Sequence, residues 1–388
     1  MIQESEISKK IKASLTRHLF NLAKQYNDVI DFTLGDPDLQ PLQSIKDAAC
    51  NAIQDGKTRY SQNAGLMSLR EIISQRYQRR QGLTYSAQEE VIVTVGAMEG
   101  LYLAMLSMLN PGDEVIIPAP YYVNYVQMVQ MCHAIPVIVT PKTGMGLAFN
   151  IQEIEKAITT RTRAIIINTP ANPSGKVLDA NQITQLANIA IRHDLVVIAD
   201  EVYRCLVYDN RDYHSIVYEN GMRERTILVN SLSKEFCMTG YRLGYVVGPK
   251  EVIAAMTKLQ ENVAACAPLP SQYAAIEALG GEHDDERNIV DVFRRRRDIL
   301  VEGIRAIPLL DCEVPEATFY LMVNISKTGM TSVTFAEELL KSVHVALVPG
   351  LAYGECCDHY VRIAFTMEED KIREGLRRIA MFCNTLKP

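Results

Sequence analysis

The chain has 388 residues, 48% of them hydrophobic and 22% charged, with a formal net charge of −6 at pH 7. That balance gives no electrostatic basis for gripping nucleic acid or an anionic lipid surface, and no apolar run reaches the ~18 residues that a membrane-spanning helix needs. A length beyond the roughly 250–300 residues at which one core stops growing predicts two domains.

Nine cysteines without a C-x-x-C pair and seven histidines without H-E-x-x-H spacing point to free buried thiols and structural imidazoles rather than disulfides or a metal site. The start MIQESEISKKIK lacks the apolar segment of a secretory signal, so a cytoplasmic location is expected.

In chain order, residues Ile45 to Gln54 carry apolar side chains at helical spacing. A strand is then expected at Val91 to Val95, a helix at Ala97 to Leu109, and strands at Glu114 to Ile117, Ala134 to Val139 and Ala164 to Asn168. A helix at Asn181 to His193 precedes strands at Leu195 to Ala199, Thr226 to Asn230 and Leu243 to Val247. Short β-branched runs alternating with helical stretches predict a doubly wound α/β core with a mostly parallel sheet. Beyond it, the charged run Arg294 to Arg297 reads as a solvated helix face. Further apolar runs follow at Thr318 to Asn324, His344 to Val348 and Val361 to Phe365. No repeat or Pro-rich linker interrupts the chain, so the second domain should be tied to the first by a helix and closely packed.

In open α/β sheets, ligands sit beyond the carboxyl ends of the strands. Four runs deliver polar residues there. VIVTVGAMEGLYLA passes through Gly96, Ala97 and Met98 into a helix, whose free N–H groups can seat a phosphate. AIIINTPANPSG ends in Asn168 and a turn carrying Asn172, whose amide could hold a ligand hydroxyl. LVVIADEVY leaves Asp200 at the end of an apolar run with Tyr203 three residues on; so apolar a carboxylate calls for a cation such as a protonated pyridine. TILVN leads into SLSKEFCMTGYRLGY, in which Lys234 has apolar neighbours and Arg242 nearby to lower its pKa, and Arg242 can also clamp a phosphate. A lysine for an aldehyde, an acid for a pyridinium, an amide and a phenol for a ring hydroxyl, and several phosphate donors make the inventory of a pyridoxal phosphate site. No G-x-G-x-x-G or Walker pattern points to a nucleotide instead.

With these segments the chain resembles the class I/II aminotransferases, fold-type I pyridoxal phosphate enzymes. The likeness runs from about Gly35 to the C-terminus through LGDPD, YSQNAGLMSLRE, NPGDEVIIPAPYY, NPSG, ADEVY, SLSKEFCMTGYRLGY and VRIAF. It implies a large cofactor-binding domain at 41–287 and a small domain of 1–40 with 288–388. By the same resemblance, Lys234 forms the Schiff base and shuttles the proton, Asp200 partners the pyridine nitrogen, and Tyr203 and Asn172 hold the ring oxygen. Ser231, Arg242 and the turn Gly96, Ala97 and Met98 form the phosphate cup. Arg362 binds the substrate α-carboxylate, Gly35 lies against substrate, and Tyr60 reaches the phosphate of a neighbouring subunit in a homodimer.

Two departures from the family pattern stand out. The chain has no tryptophan, and Tyr122 takes the place of the usual stacking ring. Met98 stands where some dicarboxylate-specific members carry a basic residue. The expected activity is ping-pong transfer of the amino group from an L-amino acid, neutral or aromatic, to a 2-oxo acid. Aspartate transamination and a pyridoxal phosphate β-lyase are the alternatives within the same site. A non-catalytic binding module is opposed by the joint presence of Lys234, Asp200 and Arg362.

Overall fold

The computed structural model describes residues 3–11, 15–141, 147, 149–281 and 289–386. Its largest sheet has seven strands, in the spatial order Val91–Thr94, Gly244–Val247, Thr226–Ser231, Val196–Asp200, Thr162–Asn168, Glu114–Pro118 and Ile135–Val139. Only Gly244–Val247 runs antiparallel to its neighbours. Successive side chains leave a strand on opposite faces, and the two cores show it. Val93, Ile165, Val197 and Leu228 enter one hydrophobic cluster, while Ile92, Ile166, Ile198 and Val229 enter another. Both faces are therefore covered, which is why these strands read as unbroken apolar runs.

Helices Gly96–Met108 and Lys250–Val263 contribute to one face, and Met67–Gln81, Ala180–Arg192 and Leu269–Gly280 to the other. The start of Ala180–Arg192 is fixed by a capping box. The Asp179 carboxylate accepts from the Gln182 N–H at 2.8 Å, and the Gln182 side chain accepts from the Asp179 N–H at 3.0 Å.

A second, antiparallel sheet is ordered Val348–Pro349, Tyr360–Ala364, Tyr320–Asn324 and Asp311–Cys312. Helices Ile289–Arg305, Ser332–Val343 and Glu369–Thr385 pack with it. The N-terminal segment joins this part: Ile30–Asp31 pairs in parallel with Val345–Ala346, and Leu19, Ala23 and Phe32 share a core with Phe293, Phe335 and Phe365. The apolar run His344 to Val348 thus feeds two short strands in different sheets. His344 itself caps a helix in the left-handed conformation, φ 54°. The expected domain boundary at 287/288 lies outside the described residues.

The arginine run departs from the solvated face expected of it. Arg294 and Arg295 are exposed along their side chains (42% and 57%), but Arg296 and Arg297 are buried. Arg296 donates two hydrogen bonds to Asp38, at 2.8 and 3.0 Å, and Arg297 donates two to Asp209, at 2.6 and 3.1 Å. A buried guanidinium needs a carboxylate partner, and these partners come from remote segments that the local sequence cannot reveal. All nine cysteines are free; five are buried, three are partly buried and Cys50 is exposed. No described helix is long and apolar enough to cross a membrane.

Candidate active site

Three adjacent strands carry the centre of the site to one edge of the main sheet. Asn168 and Asp200 face each other across the ladder, and Ser231 closes the next strand. Asn168 acts as a local clamp: its Nδ2 donates to the Asp200 carbonyl at 3.0 Å and its Oδ1 accepts from the Asn172 N–H at 2.8 Å. The helix beginning at Gly96 starts beside them. Gly96 adopts φ 73°, and a Cβ there would lie 2.6 Å from Arg242 Nη2, so only glycine lets the guanidinium lie against this turn. Arg242 is held by its own Nη1, which donates to the Thr239 carbonyl at 3.0 Å. Ala97, Ser231 and Arg242 line one part of a cavity of about 550 Å³.

Asp200 is 4% exposed, and its two hydrogen-bond donors are uncharged: the Tyr125 hydroxyl at 2.6 Å and the Val202 N–H at 3.3 Å. Burial pushes its carboxyl up to about 6, against the lowering effect of those two bonds. Lys234, half-buried, donates from Nζ to the Gly35 carbonyl at 2.7 Å. Its ammonium is lowered to about 8, first by desolvation, with Arg242 and Arg362 adding to the effect and Asp36 opposing it. The buried hydroxyls of Tyr203 and Tyr320 are 3.0 Å apart, and burial holds both phenols above their ordinary range.

At the other side Arg362, 5% exposed, donates from Nη1 to Asn172 Oδ1 at 3.2 Å and from Nη2 to the Thr33 carbonyl at 2.5 Å. The faces of Tyr320 and Tyr353 lie 4.3 and 5.3 Å from its guanidinium carbon. Its Nε is buried without a partner. A cation so placed is a ready seat for a carboxylate. Met98 and Tyr122 form an apolar wall in mutual contact, the Tyr122 hydroxyl donating to Met98 Sδ at 3.4 Å.

The cavity brings together every site residue expected from the sequence except two. Gly96 lies behind Arg242 rather than on the surface of the cavity, and Tyr60, 87% exposed, is outside it. Sequence reasoning missed Tyr125, Tyr320, Tyr353, Phe20 and Arg17, all but Tyr125 lining the cavity. Tyr125 lies in the helix Asn124–Met131, 75 residues from the Asp200 carboxylate to which it donates, and no local sequence signal marks it.

The profile of the family described as "Aminotransferase class I and II" matches residues 27–379. The chain belongs to this family. An aspartate aminotransferase of Rhizobium meliloti is 37% identical over 94% of this chain and 91% of its own length. Aromatic-amino-acid aminotransferase 2 of Thermococcus litoralis is 34% identical over 95% of each. The crystal structure of the Rhizobium meliloti aspartate aminotransferase superposes with a TM-score of 0.94 at 34% identity, covering all of both chains. The protein is therefore an aminotransferase of the fold-type I architecture, in a family whose members use pyridoxal phosphate and act on amino and 2-oxo acids. Its relatives are named as aspartate, aromatic-amino-acid and, in Bacillus subtilis, probable N-acetyl-LL-diaminopimelate aminotransferases, so kinship alone does not choose this aminotransferase's substrate.

Proposed function

We propose that this aminotransferase moves the amino group of a neutral or aromatic L-amino acid to a 2-oxo acid, the two substrates using one cavity in turn. The observation that carries this reading is the convergence of Lys234, Asp200, Arg242 and Arg362 on a single cavity from three separate segments. The residues present fit pyridoxal phosphate. The turn at Gly96 has no room for a side chain beside Arg242, leaving N–H groups and a guanidinium for a phosphate, and Asp200 lacks a charged donor that a protonated ring nitrogen would supply. When bound, the cofactor supplies an aldehyde and a protonated ring that draws electrons from the substrate Cα.

The chain's own residues then divide the work. Lys234, whose amine is desolvated, would hold the cofactor through its aldehyde carbon, with loss of water, and would move the proton at the substrate Cα. Asp200 would keep the ring nitrogen protonated, and Tyr203 and Asn172 would hold the ring oxygen. Ser231, Arg242 and the turn Gly96, Ala97 and Met98 would hold the phosphate, Tyr122 would cover the ring face, and Gly35 would line the substrate side. Arg362, which lines the cavity, would bind the α-carboxylate through its guanidinium. The proposal includes a large domain at 41–287, a small domain of 1–40 with 288–388, a cytoplasmic location, and a homodimer in which the partner copy brings its tyrosine at position 60 to the phosphate.

Met98, Tyr122, Leu101 and Phe20 offer apolar contact to a neutral or aromatic side chain, in which an unpaired carboxylate would be costly. One observation favours a second, acidic substrate as the acceptor: Arg17, exposed and 5.4 Å from the Phe20 ring centroid, also lines the cavity. A panel of the twenty amino acids against 2-oxoglutarate and pyruvate tests both points. Neutral or aromatic donors should show the higher kcat/KM, and Arg17→Met should raise KM for 2-oxoglutarate roughly tenfold while leaving pyruvate unchanged. Preference for aspartate would overturn the donor assignment. Pyruvate release from a cysteine conjugate in place of amino transfer would mark a β-lyase.

A further inference from the structure

Tyr320 touches three parts of this site that are remote in the chain. Its hydroxyl lies 3.0 Å from that of Tyr203, and its ring centroid lies 4.3 Å from the Arg362 guanidinium carbon. Its hydroxyl also fills the space beside Gly35, where a Cβ would fall 1.8 Å from it. The sheet register explains the meeting with Arg362. Tyr320 pairs with Ala364 and Arg362 with Met322, so tyrosine and arginine are diagonal neighbours on adjacent strands, within reach of long side chains. Tyr203 follows the end of the Val196–Asp200 strand in the other sheet.

We infer that Tyr320 is a positioning residue that couples the carboxylate seat at Arg362 to the phenol of Tyr203. The inference rests on the reading that Tyr203 serves the ring oxygen of the cofactor. A phenol has one hydrogen to donate. If Tyr203 commits it to that oxygen, the 3.0 Å contact with Tyr320 forms only with Tyr320 as the donor. A donor to the Tyr203 oxygen polarises its O–H and strengthens the onward bond, and the effect is larger where both groups are buried. The ring of Tyr320 has a separate task. An aromatic face against a guanidinium fixes the plane of the cation, and with it the direction in which Nε and Nη point. Gly35 is the third element. Its backbone is not left-handed, so what the position requires is the absence of a Cβ, which makes room for the Tyr320 hydroxyl.

The two tasks separate by substitution in the holoenzyme. Tyr320→Phe keeps the ring and removes only the hydroxyl. With Tyr203 a weaker donor, the Lys234 nitrogen linked to the cofactor holds its proton to higher pH, and the pH midpoint of the visible absorption band should rise by roughly half a unit with little change in donor KM. Tyr320→Leu should produce the same rise and also increase KM for amino and oxo substrates roughly tenfold. In a Tyr203→Phe background, Tyr320→Phe should no longer move the midpoint, because the group it acts through is gone. An unchanged midpoint in Tyr320→Phe, or an equal shift in both backgrounds, would overturn the inference. A wild-type protein with no borohydride-sensitive visible band would overturn the underlying cofactor reading, and this inference with it.

Discussion

The buried carboxyl of Asp200 costs the ligand-free fold stability. It is pushed up to about 6 from an ordinary value of 3.8. Between those two values the folded chain binds more protons at this site than the unfolded chain, so stability falls as pH rises through the window, and the deficit is complete above pH 6. Asparagine carries no such charge. Cofactor-free Asp200→Asn should therefore be more stable than the parent at pH 7.5, on the order of 2 kcal/mol, and no more stable near pH 4. Urea unfolding at the two pH values measures this, and a gain that persists at pH 4 would show that charge is not the cause. Asp200 was legible in the sequence because it ends an apolar run. Its donor Tyr125 was not, since it is 75 residues distant, and the Tyr203 to Tyr320 contact spans 117. Contacts of that kind exist only after the strands are placed side by side.

The elements of the main sheet were legible for a physical reason: strands buried on both faces cannot alternate with polar residues, so Val91–Thr94 and Thr226–Ser231 announce themselves. Their ends shift by a residue or two from expectation, and it is this shift that includes Asp200 and Ser231 in their strands. The helix Ile289–Arg305 was legible as a helix, whereas its orientation was not. Arg296 and Arg297 sit on the buried side with Phe293 and Leu300 because Asp38 and Asp209 arrive from elsewhere to meet them. The Arg296 side chain is 6% exposed and that of Asp38 30%. Removing the acid strands a buried cation, while removing the arginine leaves a carboxylate that water can reach. Asp38→Ala should thus destabilise by about 2 kcal/mol, and Arg296→Met by clearly less, read as shifts in the urea midpoint. Equal losses would contradict that asymmetry.

For the whole molecule, the two sheets meet at the cavity. Asp200, Ser231 and Lys234 come from the main sheet side, Arg362 and Tyr320 from the second sheet, and Gly35 from the N-terminal segment. Nothing in the sequence pattern alone brings these together; the family likeness supplied Arg362 and Gly35, and the fold places them. Tyr60 points the other way, exposed at 87% and outside the cavity of its own chain. If a second copy presents this tyrosine to the phosphate, the active species is at least a two-fold dimer. Light scattering with parallel activity measurements should find activity only in the dimer, and Tyr60→Ala should weaken cofactor retention. A fully active monomer would remove Tyr60 from the site.

The central claim is that Lys234 bears the cofactor. Borohydride reduction of the purified yellow holoenzyme, followed by proteolysis and mass spectrometry, locates the covalent link directly. The account predicts a single reduced pyridoxyl adduct on Lys234, absent from Lys234→Ala together with turnover. An adduct on any other lysine, or an active Lys234→Ala enzyme, would contradict it.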